Sequence, residues 1–174
     1  ASLSRNDNLT GLLNRTAFEE ALRREFKRAQ RQRGLLALAV LDLDDFKRFN
    51  QAHGAQTGDA ALKRVALLLA ERFKRDTDIV ARLSGEEFVV LLPGCSVSAA
   101  QGVLESVRSD VRSLRVADGG GADETAGAEL TVSVGLAAMS PSRPYLSAQA
   151  FLQAADEALY MAKHAGRDRL SMAA

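Results

Sequence analysis

Residues 35–43, Leu-Leu-Ala-Leu-Ala-Val-Leu-Asp-Leu, constrain the fold of this chain more than any other stretch. Eight of these nine side chains are apolar, without period-two alternation, and the run ends in acidic residues. Such a run reads as a strand buried on both faces. Its surroundings supply the cover. Residues 16–31 place Phe18, Leu22 and Phe26 on one helical stripe, and Gly34 is expected to stop that helix. Residues 45–52 read as a short helix, with Gly54 and Gly58 punctuating the loop after it. Residues 59–74 form a second amphipathic pattern whose core face is Leu62, Val65, Ala66, Leu69 and Phe73.

Two short strand-like runs, 79–83 and 88–92, flank Ser84-Gly85-Glu86-Glu87, a hairpin with glycine at the bend. Helical spacing returns over 98–114. Residues 118–127 are rich in Gly, Ala and acids without periodicity and read as a surface loop. A strand over 130–139, a helix over 151–164 and a closing strand over 169–172 complete the chain. Strands alternating with helices, plus one hairpin, predict an α/β sandwich with a mixed sheet.

The length of 174 residues fits one domain. A formal net charge of +1 argues against a large electrostatic footprint for nucleic acid or an anionic membrane. The basic cluster between Arg23 and Arg33 interleaves with Phe26 and Ala29, as a solvated helix face would. Cys95 is the single cysteine, so an internal disulfide is excluded and a reducing, cytoplasmic compartment is expected. No apolar run approaches the roughly 20 residues of a membrane helix. The chain starts without methionine and enters a patterned segment at once, which suggests a catalytic piece of a longer protein.

Chemistry concentrates where apolar strands meet turns. Asp42 and Asp44 close the buried strand, and Glu86 and Glu87 cap the hairpin. Alternation sends Asp42 and Asp44 to one face and Leu43 away, leaving the Leu43 carbonyl near the same site. If the hairpin lies beside that strand, the carboxylates converge. Like charges resist joint ionisation in a partly dry site, and hard divalent cations such as magnesium resolve the conflict with oxygen ligands. Two metals about 4 Å apart can stabilise attacking and leaving oxygens in phosphoryl or nucleotidyl transfer. The bland alternative is that these acids only solubilise strand ends.

Six ordered segments then carry a resemblance. They are residues 7–15 (DNLTGLLNR), 42–50 (DLDDFKRFN), 54–59 (GAQTGD), 82–88 (RLSGEEF), 132–135 (VSVG) and 155–167 (ADEALYMAKHAGR). Together the chain resembles the GGDEF family of diguanylate cyclases over nearly its whole length. The resemblance implies a fold like the polymerase palm and nucleotide cyclase core, with a five-stranded mixed sheet wrapped by helices. It implies two domains facing each other as a homodimer, each holding one GTP. Each 3′-hydroxyl would attack the other's α-phosphate, releasing pyrophosphate and closing cyclic di-GMP.

By that resemblance Asp42, the Leu43 carbonyl, Glu86 and Glu87 hold two magnesium ions, with manganese as an alternative. Glu86 also draws the proton from the attacking hydroxyl. Asn50 and Asp59 would hydrogen-bond the guanine edge, where an aspartate accepts from N1–H and the exocyclic amine. Backbone amides near Asp45 and Phe46, with Lys47, Lys163 and Arg167, would hold the β- and γ-phosphates, and Gly85 leaves room for the nucleotide. Arg75 and Asp78 fit an inhibitory Arg-x-x-Asp motif for the product. Blander roles compete: Asp59 as a helix cap, and Lys163 and Arg167 as complements to a helix dipole. Tyr160 and Met161 read as packing, and neither His53 nor His164 has a second histidine at metal-ligand spacing.

The chain departs from the pattern at Ser84 for the first signature glycine, Ala55 for a usual histidine and Gln51 for a usual aspartate. Ser106 stands where a second inhibitory arginine is expected, with Arg108 nearby. These departures keep a rival reading in view, a weak or silent module that senses GTP or cyclic di-GMP. A different nucleotidyl cyclase is a third reading, which Asn50 and Asp59 argue against.

Overall fold

The computed structural model describes residues 4–116 and 127–174. Among these described residues, five helices and five strands follow in the order α1 (Arg15–Gln32), β1 (Leu36–Leu43), α2 (Phe46–His53), α3 (Ala55–Arg72), β2 (Ile79–Ser84), β3 (Glu87–Pro93), α4 (Val97–Ser113), β4 (Val132–Met139), α5 (Ala148–His164) and β5 (Leu170–Met172). The strands form one sheet in the order β2-β3-β1-β4-β5. All neighbours pair antiparallel except β4 and β5, which are parallel, so the sheet is mixed as expected.

The apolar run is the central strand β1. Its Ala37, Ala39, Leu41 and Leu43 pack into a core shared with α3 and α4. The alternate residues Leu36, Leu38 and Val40 pack with α1 and α5. Both faces are thus covered, which is why alternation is absent. The expected stripes are buried: Phe18, Leu22 and Phe26 on α1, and Leu62, Val65, Ala66 and Leu69 on α3, with Phe73 just beyond its end. The basic residues of α1 face outward, and the buried Glu25 is paired with Arg24 and Arg28.

Two expectations at helix ends are corrected. The residue that ends α1 in the left-handed conformation is Arg33 (φ 52°), while Gly34 donates its N–H to the Ala29 carbonyl. The second helix begins at Ala55 rather than Asp59, with Gly54 (φ 92°) at the turn, so Gly58 lies inside α3. Glycine is a poor helix former, but here close packing decides: a Cβ on Gly58 would stand 1.8 Å from Asn50 Oδ1 of α2. Asp59 is therefore no helix cap. Gly135 serves a similar purpose in β4, where a Cβ would meet the Ala155 carbonyl oxygen at 2.2 Å and Leu159 N at 2.3 Å. That close approach sets α5 directly on the sheet.

Apart from Gly127, the loop expected over residues 118–127 lies outside the described residues. Among those described, no helix is long and apolar enough to cross a membrane.

Candidate active site

Strand pairing assembles the acidic residues. Asp42 is in register with Glu87 of β3 on one side and Ser133 of β4 on the other. The Leu43 N–H donates to the Glu86 carbonyl at 3.2 Å, tying the hairpin to the end of β1. Gly85 takes φ 38° at the bend, and a Cβ there would meet nothing within 4 Å, so open space adjoins it. Arg82 braces the bend, donating from Nε to the Gly85 carbonyl at 2.8 Å and from a terminal nitrogen to both Asp7 carboxylate oxygens at 3.1 Å. Burial would raise Asp7, but bonds from Thr10 and Arg82 outweigh it and hold the carboxyl below its ordinary value. Neither Asp7 nor Arg82 was assigned a role from sequence; their contact spans 75 positions.

Asp42 and Asp44 do share a face, and Lys163 from the last turn of α5 lies between them. Its Nζ is 2.9 Å from Asp42 Oδ1 and 2.9 Å from Asp44 Oδ1. Their environments differ. Asp44 is buried and accepts from the hydroxyls of Ser133 (2.6 Å) and Thr131 (2.7 Å) and from the Asp168 N–H (3.0 Å). Burial pushes its carboxyl up, yet these bonds and Lys163 pull it below the usual value. Asp44 therefore staples β1 to β4 and to the turn after α5. In that turn Arg167 (φ 62°) and Asp168 (φ 47°) are left-handed, and Arg108 and Arg112 of α4 grip the Asp168 carboxylate.

Asp42 is raised, first by burial and then by the charges of Glu86 and Asp44, with Lys163 opposing. Glu87 is raised by burial and by the charges of Asp156 and Asp42. Burial likewise raises Asp156, against the pull of Arg15. Among the described residues no three His, Cys, Asp or Glu side chains are gathered closely enough to hold a metal unaided.

On the other side of β1, Asp45 begins α2 with φ 51°, exposed, and Arg167 Nε lies 3.6 Å from its carboxylate. Phe46 is buried and stacks on Phe49, while Lys47 is exposed. Asn50 points toward α3, and its Oδ1 is buried without a hydrogen-bond partner. Asp59 is exposed one residue beyond the Gly58 contact. Tyr160 and Met161 are exposed, and Tyr160 lies against His164 with ring centroids 4.0 Å apart.

Comparison with known proteins decides the family: residues 4–169 match the model described as diguanylate cyclase, GGDEF domain. This chain belongs to the GGDEF family. It is 42% identical over 167 residues to the diguanylate cyclase DgcP of Pseudomonas aeruginosa, covering 96% of this chain and 24% of that protein. It is 33% identical over 172 residues to the probable diguanylate cyclase DgcC of Escherichia coli, covering 99% of this chain and 44% of that one. The chain thus spans less than half the length of these curated relatives. Among solved structures, the GGDEF domain of DgcB from Caulobacter crescentus, in complex with c-di-GMP, superposes with a TM-score of 0.89 at 34% identity, covering 99% and 98% of the two chains.

Within this GGDEF chain the Arg-x-x-Asp segment is folded on itself. Arg75 donates from Nε to Asp78 at 2.9 Å and from a terminal nitrogen to the Pro93 carbonyl at 3.2 Å, while about half its side chain stays exposed. Cys95 is half-buried near Arg75, and burial raises its thiol. Ser106 accepts from Arg72 of α3, which also pairs with Asp110. Arg108 is committed instead to Glu105 and Asp168, so it does not stand in for the arginine missing at Ser106. The guanidinium at that position is Arg72, which no sequence pattern singled out. Ser84 ends β2 exposed to solvent.

Proposed function

We propose that this GGDEF domain is a diguanylate cyclase, condensing two GTP molecules into cyclic di-GMP and two pyrophosphates. One observation carries the reading. The Asp42 carboxylate and Leu43 carbonyl lie beside the Glu86–Glu87 hairpin, with the Lys163 ammonium already drawn onto Asp42. The relatives named as diguanylate cyclases support it.

The donors fit a hard divalent ion. They are carboxylate and carbonyl oxygens, two of the carboxyls are raised by burial and mutual charge, and a cation already sits against them. Asp42, the Leu43 carbonyl, Glu86 and Glu87 would hold two magnesium ions, or manganese. Since among the described residues no three side chains close a site alone, triphosphate oxygens would complete it, as is usual for magnesium. When bound, the ions supply positive charge against the charge developing on the phosphate oxygens.

The chain's own groups do the rest. Asn50 and Asp59 hydrogen-bond the guanine edge, and the Asn50 amide is free to turn to it because its Oδ1, buried against Gly58, has no hydrogen-bond partner among the described residues. The amides near Asp45 and Phe46, with Lys47, Lys163 and Arg167, hold the β- and γ-phosphates. The open space at Gly85 admits the nucleotide. A second copy, arranged head to tail, presents its GTP. Each 3′-oxygen bonds to the opposing α-phosphorus, the α–β phosphoanhydride bond breaks, and pyrophosphate departs with the bonding electrons. Glu86 takes the hydroxyl proton. Holding both nucleotides in line removes much of the entropic barrier. The exposed Arg75, with Asp78, forms a product-binding inhibitory site. The domain occupies the whole chain as the catalytic part of a longer signalling protein, in a cytoplasmic setting that fits its lone free cysteine.

Pyrophosphate release is measured with GTP or ATP, magnesium and concentrated protein. GTP alone is expected to react, and Glu86→Ala and Glu87→Ala to abolish release. No release from GTP, despite dimer formation and nucleotide binding, would favour the sensing module.

A further inference from the structure

We propose that Lys163 is a tethered cation which occupies the metal-facing oxygens until a triphosphate draws it away, coupling divalent-ion binding to nucleotide binding through one side chain. This rests on the metal-site reading above. The ammonium lies 2.9 Å from Asp42 Oδ1, 3.3 Å from the Asp42 carbonyl oxygen, 3.4 Å from the Leu43 carbonyl oxygen and 2.9 Å from Asp44 Oδ1. Two of these four oxygens, the Asp42 carboxylate and the Leu43 carbonyl, are the ones assigned to the metal. A divalent ion and an ammonium in contact with the same oxygens repel strongly in a partly dry site, so one must leave.

The two aspartates respond differently to that departure. Asp44 keeps the Ser133 hydroxyl on one oxygen, and the Thr131 hydroxyl and Asp168 N–H on the other. It stays satisfied when Lys163 moves. Among the described residues, Lys163 is the hydrogen-bond donor to the Asp42 carboxylate. Losing it leaves Asp42 ready for another cation. The ammonium needs three acceptors wherever it goes, and a triphosphate beside the β1–α2 turn offers them. Its reach is short because Gly135 seats α5 against β4, so the move is a swing of one flexible side chain. Substrate thus clears the site for the ion that accompanies it, and the free protein holds divalent ions weakly.

The test is Mn2+ binding, followed by the electron-paramagnetic signal of the free ion, for wild type, Lys163→Met and Lys163→Arg, with and without a non-hydrolysable GTP analogue. Without nucleotide, Lys163→Met is expected to bind Mn2+ about tenfold more tightly than wild type, within the usual range of coupling between sites. Lys163→Arg should stay close to wild type. The tightening caused by the analogue should be smaller in Lys163→Met by the same factor. Equal or weaker ion binding in Lys163→Met overturns the inference and leaves the metal site standing. No Mn2+ bound by any of the three, even with the analogue, overturns the metal-site reading and the inference with it. A companion measurement needs no variant: trace acetylation of wild type, read by mass spectrometry. Saturating Mn2+ should raise modification of Lys163 relative to the exposed Lys27 and Lys74. An unchanged ratio overturns the inference.

Discussion

In Gly135→Ala a new Cβ would stand 2.2 Å from the Ala155 carbonyl oxygen and 2.3 Å from Leu159 N. Both are backbone atoms, so no side chain can turn aside. Cβ contacts below 3.0 Å are essentially never seen, and opening both contacts to that limit requires α5 to lift by about 0.8 Å at Ala155 and about 0.7 Å at Leu159. Overpacking of this kind costs about 1–3 kcal/mol. For a domain of this size, each kcal/mol lowers Tm by about 2–4 °C, giving a fall of about 2–12 °C. Lys163 lies one helical turn beyond Leu159, so the same lift moves its ammonium relative to Asp42. A misplacement approaching 1 Å can cost on the order of 100-fold in rate. The assays are thermal denaturation followed by circular dichroism and the initial rate of cyclic di-GMP formation by folded protein. Wild-type stability and wild-type rate together would refute the claim that the Gly135 contact positions Lys163.

Three further outcomes are expected. Gly58→Ala places its Cβ on the Asn50 amide, a movable side chain; it should fold within about 1 kcal/mol of wild type yet bind GTP at least about tenfold more weakly by calorimetry. Asp44→Asn sets an amide NH2 against the donors that surround the carboxylate, at a cost of about 1–3 kcal/mol. The Asp44 carboxyl titrates below its ordinary 3.8, so its contribution is present above that value and lost as pH falls through the lowered range. Denaturation at several pH values should therefore show the gap between the two proteins widest near neutrality and narrowing in acid. Arg82→Met frees the Gly85 carbonyl and removes the ion pair from Asp7, which keeps its Thr10 bonds; this should cost about 1–3 kcal/mol and weaken Mn2+ binding at the hairpin.

Local pattern made much of this molecule legible. The run over 35–43 specified a central strand because covering both faces erases alternation, and the glycine at 85 marked the hairpin. The start of α3 was misplaced because Gly54 and Gly58 look alike in sequence. One supplies a positive-φ turn and the other a close helix contact, and only packing tells them apart. Asp44 was visible as an acid beside Asp42, but its role comes from Thr131, Ser133 and Asp168, up to 124 positions away. The Asp7–Arg82 brace and the Arg72–Ser106 contact were hidden for the same reason. Long side chains reach partners that strand order determines, and no local period encodes strand order.

The most direct test incubates concentrated protein with GTP and magnesium and resolves the products by chromatography with mass detection. The account predicts one cyclic di-GMP for every two pyrophosphates, and neither product from Glu86→Ala. GTP bound to a dimer with no cyclic dinucleotide formed, or with GTP only hydrolysed, would contradict it.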